Sequence, residues 1–261
     1  MNKNKTFKEK IKAIYFMLYP RKITFFPNIF SYIAQSRFFV WGRLWVRFIF
    51  FFLINRGKIN TIETKNGSHI SKVVHHNFTE NFNLMVFNRG RIESLLYPLL
   101  SVPYVRRNAG ALKVLSIGPR NEGELLLLFS HGFKWQNIVG IDLFSYSPKI
   151  KVMDMHGMTF EDNSFDIITS SRVLSYSKGL EVQKAINEII RVAKNGAIVA
   201  IGIAWNVDPH DDEDYAGNRF DGWLDEIFSY FKDHIDYIYW RNEEKKDGGL
   251  GDMTTVFRIK K

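Results

Sequence analysis

Residues 112–123, LKVLSIGPRNEG, run from a short apolar stretch through a glycine turn into helix-forming sequence. Val114, Leu115 and Ile117 suit a buried strand, and Gly118 ends it. The next stretch, NEGELLLLFSHGF, reads as a helix closed by Gly132. Strand, glycine turn and helix in that order open a βαβ unit. Gly118 has two readings at this point. It either lets a ligand approach the backbone, where a side chain would block it, or serves only a tight strand–helix turn.

The same alternation continues outward. NIVGID (137–142) reads as a second buried strand ending in an acid, and KIKVMD (149–154) as a third with the same ending. SFDIITSS (164–171) is a fourth. The stretch 179–196 is an amphipathic helix stopped by Asn195-Gly196, and AIVAIGIAW (197–205) is a fifth strand. HIDYIYW and MTTVFRIKK complete the pattern, with a turn at 245–249 between them. Strands alternating with helices predict a parallel sheet covered on both faces. In such sheets ligands bind beyond the carboxyl ends of the strands. Asp142 ends the second strand 24 residues after Gly118, where an acid can accept from ribose hydroxyls. It can equally be a loop or capping acid.

Four pieces, VLSIGPRNEG, IVGID, DMHGMTFEDNSFDIITSSRVLSYS and EIIRVAKNGAIVAIG, lie in this order between residues 114 and 202. Together they resemble the class I S-adenosylmethionine-dependent methyltransferases, specifically the methyltransferase type 11-like domain with a variant G-P-R first motif. The resemblance covers about Leu112 to Lys261. It implies a Rossmann-like α/β fold whose mostly parallel seven-stranded sheet has order 3-2-1-4-5-7-6, with helices on both faces. It implies S-adenosyl-L-methionine as cofactor, held by Gly118, Pro119, Arg120, Glu122, Asp142, Leu143, Asp154, Met155, Ser170 and Ser171. Under it, the amide end of the helix starting near Glu122 receives the methionine carboxylate. Asp154 accepts from the adenine amino group and Met155 packs on the ring. Ser170 and Ser171 end the fourth strand near the reacting methyl group.

The sequence departs from the family in named places. Ser116 stands where an acid is usual, and Gly118-Pro119-Arg120-Asn121-Glu122-Gly123 replaces G-x-G-x-G. Pro119 offers no amide hydrogen. Arg120 can fork onto the cofactor carboxylate, and Glu122 can stand in for the missing acid as partner of the cofactor's amino group. Ser171-Arg172-Val173-Leu174-Ser175-Tyr176 replaces the usual S-H-V-L-E-H. There is no N-P-P-Y or D-P-P-Y stretch, the signature of many amine-methylating relatives. A hydroxyl of a small-molecule or saccharide-like acceptor is therefore expected. His210 and Asp208, in the acidic loop after the fifth strand, are candidates for general base and orienting partner. That loop also reads as a solvated acidic segment or a site for a hard cation; no metal is assigned. The altered first motif keeps open a second class of function, an inactive binding or scaffold module.

Charge divides the chain. Residues 1–58 hold twelve Lys or Arg and one acid, Glu9, while the rest carries 24 basic and 26 acidic side chains. Residues 5–19 have helical apolar spacing, and 38–54, FFVWGRLWVRFIFFFLI, form an aromatic run broken by Arg43 and Arg47. A spanning helix needs about 20 apolar residues and tolerates central arginines poorly. The run therefore reads as an interfacial helix at an anionic surface, or as a helix packed on the body. The expected division is a basic aromatic helical extension at 1–57, a linker or cap at 58–110 and the methyltransferase-like domain at 111–261. A cytoplasmic location, at most peripheral to a membrane, follows, and nucleic acid is not an expected partner. Cysteine is absent, which excludes disulfides, thiolate metal sites and cysteine nucleophiles.

Overall fold

The computed structural model describes residues 42, 45, 46, 49, 60, 61, 92–119, 121–145, 147–174, 180–206, 224–245 and 250–261. In chain order the elements are β1 (Asn60–Thr61), α1 (Glu93–Ser101), α2 (Pro103–Asn108), β2 (Val114–Ile117), α3 (Glu122–Ser130), β3 (Ile138–Asp142), β4 (Phe144–Ser145), β5 (Ile150–Val152), β6 (Phe165–Ser171), α4 (Leu180–Val192), β7 (Ala193–Asn206), α5 (Leu224–Phe231), β8 (Ile235–Lys245) and β9 (Leu250–Ile259).

The main sheet has seven strands in the order β5-β3-β2-β6-β7-β9-β8. Strands β5, β3, β2, β6 and β7 run parallel, and β9 is antiparallel to both of its neighbours. Counted along the chain within this sheet, the order is the expected 3-2-1-4-5-7-6. The order reverses between β2 and β6, and it is at the carboxyl ends flanking such a switch point that sheets of this kind bind ligands.

Alternation along each central strand feeds two cores. Leu115, Ile117, Ile141, Ile168, Val199 and Ile201 pack with Val182, Ile186 and Ile189 of α4 and Leu224, Ile227 and Phe231 of α5. Val114, Ile138, Ile167, Ile198 and Val256 pack with Leu95, Leu96 and Leu99 of α1, Val105 of α2 and Leu125 and Leu128 of α3. Both faces are thus covered. Each such side chain contributes about 1.5–3 kcal/mol by leaving water, which fixes the strand register and with it the strand tips. Helices α1 and α2 belong to the 58–110 segment, yet they supply core residues. β1 pairs with β4, placing Asn60 opposite Ser145 beside the loop that follows Asp142.

Two local expectations are corrected. Pro98 and Pro103 limit any helix through IESLLYPLL, yet α1 runs through Pro98 and α2 starts at Pro103. Pro98 forfeits only a bond to the carbonyl of exposed Ser94. The true break is Val102, extended as a residue before proline prefers (φ −70°, ψ 115°). Asn195-Gly196 was expected to separate helix from strand, but α4 ends at Val192 and β7 begins at Ala193. The turn lies inside the strand as an irregularity. Pairing with β6 jumps from Phe165↔Ala193 to Ile167↔Ile198, and Gly196 takes a φ of +79°.

The helix expected at 5–19 lies outside the described residues. Of the 38–54 run, Gly42, Trp45, Val46 and Ile49 are helical, and Val46 and Ile49 are exposed. Among the described residues no helix is long and apolar enough to cross a membrane.

Candidate active site at the strand tips

The register brings the expected residues to one edge of the sheet. Ile117 lies beside both Ile141 and Ser170, and Asp142 beside Val152. Gly118, Asp142, Asp154 and Ser171 therefore follow or end four adjacent strands.

Gly118 leaves β2 with φ +66°, and its amide donates to the Ile141 carbonyl at 2.8 Å. A Cβ here would overlap Val173 Cγ2 and lie 3.2 Å from Val173 Cβ and Cγ1. Within the protein, then, the space over Gly118 belongs to Val173, and the tight-turn reading has its own physical cause. Pro119 is buried. A Cβ on Gly140 of β3 would come within 2.8 Å of Pro119 Cγ and 3.1 Å of Ile150 Cγ1, so the bare Gly140 makes room for the proline ring. The Pro119 carbonyl accepts from the Asn121 amide. Asn121 caps α3, its Oδ1 accepting from the Gly123 amide at 2.8 Å. Arg120 lies outside the described residues.

Glu122 has no exposed surface. Its Oε1 accepts from Ser147 Oγ, which also accepts from the Lys149 amide at 3.1 Å. Ser145 Oγ donates to the Ser147 carbonyl at 2.8 Å and accepts from the Ser147 amide at 3.0 Å. Glu122 therefore ties the start of α3 to the loop after β4. The Ser147 hydrogen bond offsets the cost of enclosing this carboxylate, which the sequence offered as partner of a cofactor amino group.

Asp142 ends β3 and is half-buried. Its Oδ1 accepts from the Leu143 amide at 2.7 Å, and its carbonyl accepts from the Met153 amide at 2.9 Å. Leu143 is half-buried beside it. Asp154 follows β5, with 35% of its side chain exposed. Its Oδ1 accepts from the His156 amide at 2.9 Å and from His156 Nδ1 at 2.6 Å. The His156 hydrogen bond is the main reason its carboxyl sits below the usual range; partial burial opposes it. Met155 is buried against the α4 face.

The Asp154 loop is pinned at its far end. Arg191 of α4 donates to the Met158 carbonyl at 2.6 Å, the Phe160 carbonyl at 2.7 Å and Asp162 Oδ1 at 2.8 Å. Glu188 accepts from Arg191 Nε at 2.7 Å and from the Met158 amide at 2.5 Å. The Arg191 hydrogen bonds hold the Glu188 carboxyl below its usual range.

Ser170 and Ser171 are buried at the tip of β6, and the Ser170 and Thr169 hydroxyls have no hydrogen-bond partner among the described residues. Arg172 then turns with φ +62°, its amide bonded to the Gly202 carbonyl at 2.7 Å. A left-handed arginine is costly, and here the β7 bond holds it. His210 and Asp208 lie outside the described residues. Sequence reading missed His156, whose signal is the D-x-H spacing, and Val173, which carries no local signal.

Residues 115–201 match the family model described as a methyltransferase domain. The seven-stranded order around that stretch is the fold of class I S-adenosylmethionine-dependent methyltransferases. Two solved structures share the fold. One is the Burkholderia thailandensis 1,6-didemethyltoxoflavin-N1-methyltransferase with bound 1,6-didemethyltoxoflavin and S-adenosylhomocysteine. It is 9% identical, with a TM-score of 0.55, over 78% of this chain and 95% of that one. The other is a putative sarcosine dimethylglycine methyltransferase from Galdieria sulphuraria. It is 15% identical, with a TM-score of 0.51, over 64% of this chain and 85% of that one. No curated protein matches the sequence. At such identities the likeness to this methyltransferase domain is one of fold.

Proposed function

We propose that the chain methylates a hydroxyl of a small-molecule or saccharide-like acceptor from S-adenosyl-L-methionine bound at the tips of β2, β3, β5 and β6. One observation carries the reading. Two carboxylates sit at the ends of neighbouring parallel strands, Asp142 opposite Val152 and Asp154 two residues beyond Val152, and both retain exposed surface. Carboxylate oxygens are acceptors only, so the pair suits a ligand that presents donors along a line, as ribose hydroxyls and an adenine amino group do. Asp154 Oδ2 has no partner among the described residues, which fits an incoming donor. The start of α3 supplies amides and a dipole suited to a carboxylate.

When bound, the cofactor supplies a methyl group already activated on a sulfonium. The residues of this chain then have to hold, align and keep water away. Proximity and alignment account for a large part of such a displacement. The hydroxyl acceptor rests on the missing amine-methylating signature, and the base rests on His210 with Asp208. The 1,6-didemethyltoxoflavin enzyme methylates nitrogen, so a nitrogen acceptor is the competing outcome.

The test has two arms. Titration calorimetry with S-adenosylhomocysteine should show saturable binding, weakened at least tenfold by Asp142→Ala. Tritiated-methyl transfer to a panel of sugar, phenol and amine acceptors should favour hydroxyls. Transfer to amines alone would overturn the acceptor class. Binding without transfer to any acceptor or to cell extract would favour the silent binding module. No binding at millimolar ligand would remove the cofactor reading.

The exposed helical residues Val46 and Ile49 and the cationic composition of 1–58 support a contact of that extension with an anionic membrane surface. Deleting residues 1–57 should then release the protein from the membrane pellet. Unchanged fractionation would oppose it.

A further inference from the structure

The Asp154 carboxylate is used asymmetrically. Oδ1 takes two donors, the His156 amide at 2.9 Å and the His156 ring nitrogen Nδ1 at 2.6 Å, while Oδ2 takes none among the described residues. An ionised carboxylate has nothing to donate, so Nδ1 must carry the proton. The carboxyl is held in the ionised form largely by that same bond. The ring cannot swing freely. Its Nε2 lies 3.7 Å from Glu181 Oε2 in the first turn of α4, and only 22% of the side chain is exposed. The backbone on both sides is also fixed. The Gly157 amide closes a turn onto the Asp154 carbonyl at 3.3 Å, and Arg191 fixes the Met158 and Phe160 carbonyls. One histidine thus determines which carboxylate oxygen is occupied and which is presented.

We propose that His156 is a positioning residue that presents Asp154 Oδ2 to the amino group of an adenine ring. The proposal rests on the cofactor reading given above and adds a specificity determinant to it. An exocyclic amino group donates to Oδ2. A keto oxygen in the same place sets two acceptors against each other. The site should therefore reject hypoxanthine in favour of adenine, and the strength of that preference should depend on how firmly the carboxylate is held. A hydrogen bond to a charged group is worth about 1.5–3 kcal/mol, or roughly 10- to 100-fold in affinity.

The experiment compares S-adenosylhomocysteine with S-inosylhomocysteine by titration calorimetry, using the full chain and three variants. His156→Asn keeps a donor where Nδ1 lies. His156→Gln keeps a polar side chain but moves its amide to the reach of Nε2. His156→Ala removes the ring. Wild type should prefer the adenosyl ligand by about 10- to 100-fold. His156→Asn should retain most of the preference. His156→Gln and His156→Ala should compress it to within about threefold by weakening adenosyl binding, with inosyl binding little changed. If Gln and Ala variants keep the wild-type ratio, or lose affinity for both ligands equally, His156 is structural and the proposal is overturned. Absence of binding by the wild-type chain would remove the cofactor reading, and the proposal with it.

Discussion

Replacing Gly118 by alanine puts a methyl group where two separate constraints meet. The backbone there has φ +66°, which costs an L-residue about 1–2 kcal/mol. The new Cβ would also overlap Val173 Cγ2 and lie 3.2 Å from two further Val173 carbons. Valine is stiff at χ1 and cannot easily swing aside. Forcing an extra carbon into a packed site costs about 1–3 kcal/mol. The two contributions predict a loss of about 2–5 kcal/mol, a large part of a typical stability of 5–15 kcal/mol. Urea unfolding of Gly118→Ala, Val173→Ala and the double variant separates them. Val173→Ala removes the overlapping methyl, so the pair should couple favourably by about 1–3 kcal/mol, and the backbone strain should remain. A loss below about 0.5 kcal/mol, or no coupling, would refute the reasoning. The double variant also divides the two roles of Gly118. If it folds but no longer binds S-adenosylhomocysteine, the bare backbone is needed by the ligand as well as by Val173.

Three further outcomes are expected. Gly140→Ala should destabilise the fold by about 1–3 kcal/mol in urea, because its Cβ would press on Pro119 and Ile150 inside the βαβ unit. Arg191→Lys keeps the charge but cannot reach two carbonyls and two carboxylates at once. It should lose about 2–3 kcal/mol and raise hydrogen exchange at residues 156–162 more than elsewhere. Acid should weaken the same loop. The Asp154 and Glu188 carboxyls are both depressed from ordinary values of 3.8 and 4.5, so their contributions are present above those values and lost as pH falls through the folded ones. Glu188→Gln should flatten the fall in melting temperature below about pH 4.5, and an unchanged slope would count against the Arg191 clamp.

The architecture was legible because its signals are local and repeated. Apolar runs of strand length, ended by Gly118, Asp142 and Asp154, alternate with the helical spacing of Val182, Ala185, Ile186 and Ile189, and burial follows that spacing. Sequence reading failed where a neighbour in space decides. A proline inside α1 is tolerated because it forfeits a single backbone bond, to the exposed residue Ser94. Asn195-Gly196 looks like a helix stop, yet the β6 pairing draws Ala193 into the sheet first. That Gly118, Asp142, Asp154 and Ser171 share one edge of the sheet was legible, but the couplings around them were not. Nothing in the order of letters brings Val173 over Gly118, Ser147 to Glu122, or Arg191 to the carbonyls after Asp154.

Those couplings bear on how the variant first motif should be understood. Loss of the usual acid at Ser116 and of two glycines after Gly118 suggests, taken alone, a turn that has stopped serving a ligand. Packing gives a different physical account. Pro119 has restricted φ and no donor to leave unsatisfied, and its ring fills the space left by Gly140. Asn121 supplies the cap that starts α3, and Glu122 is committed to Ser147. The described residues of the turn, Pro119, Asn121 and Glu122, thus each have a packing or hydrogen-bonding role of their own. What the turn gives up is a free carboxylate beside the ligand's amino group, since Ser116 has none and Glu122 is enclosed. The residues proposed for the ribose and adenine, Asp142, Asp154 and His156, are untouched by this change. Affinity should therefore be concentrated on the nucleoside. Adenosine alone should compete with S-adenosylhomocysteine for this chain, and removing the ligand's amino group should cost little. If adenosine fails to compete while the amino group proves essential, the ligand's methionine end is held by residues other than Ser116 and Glu122, and this account of the turn is wrong.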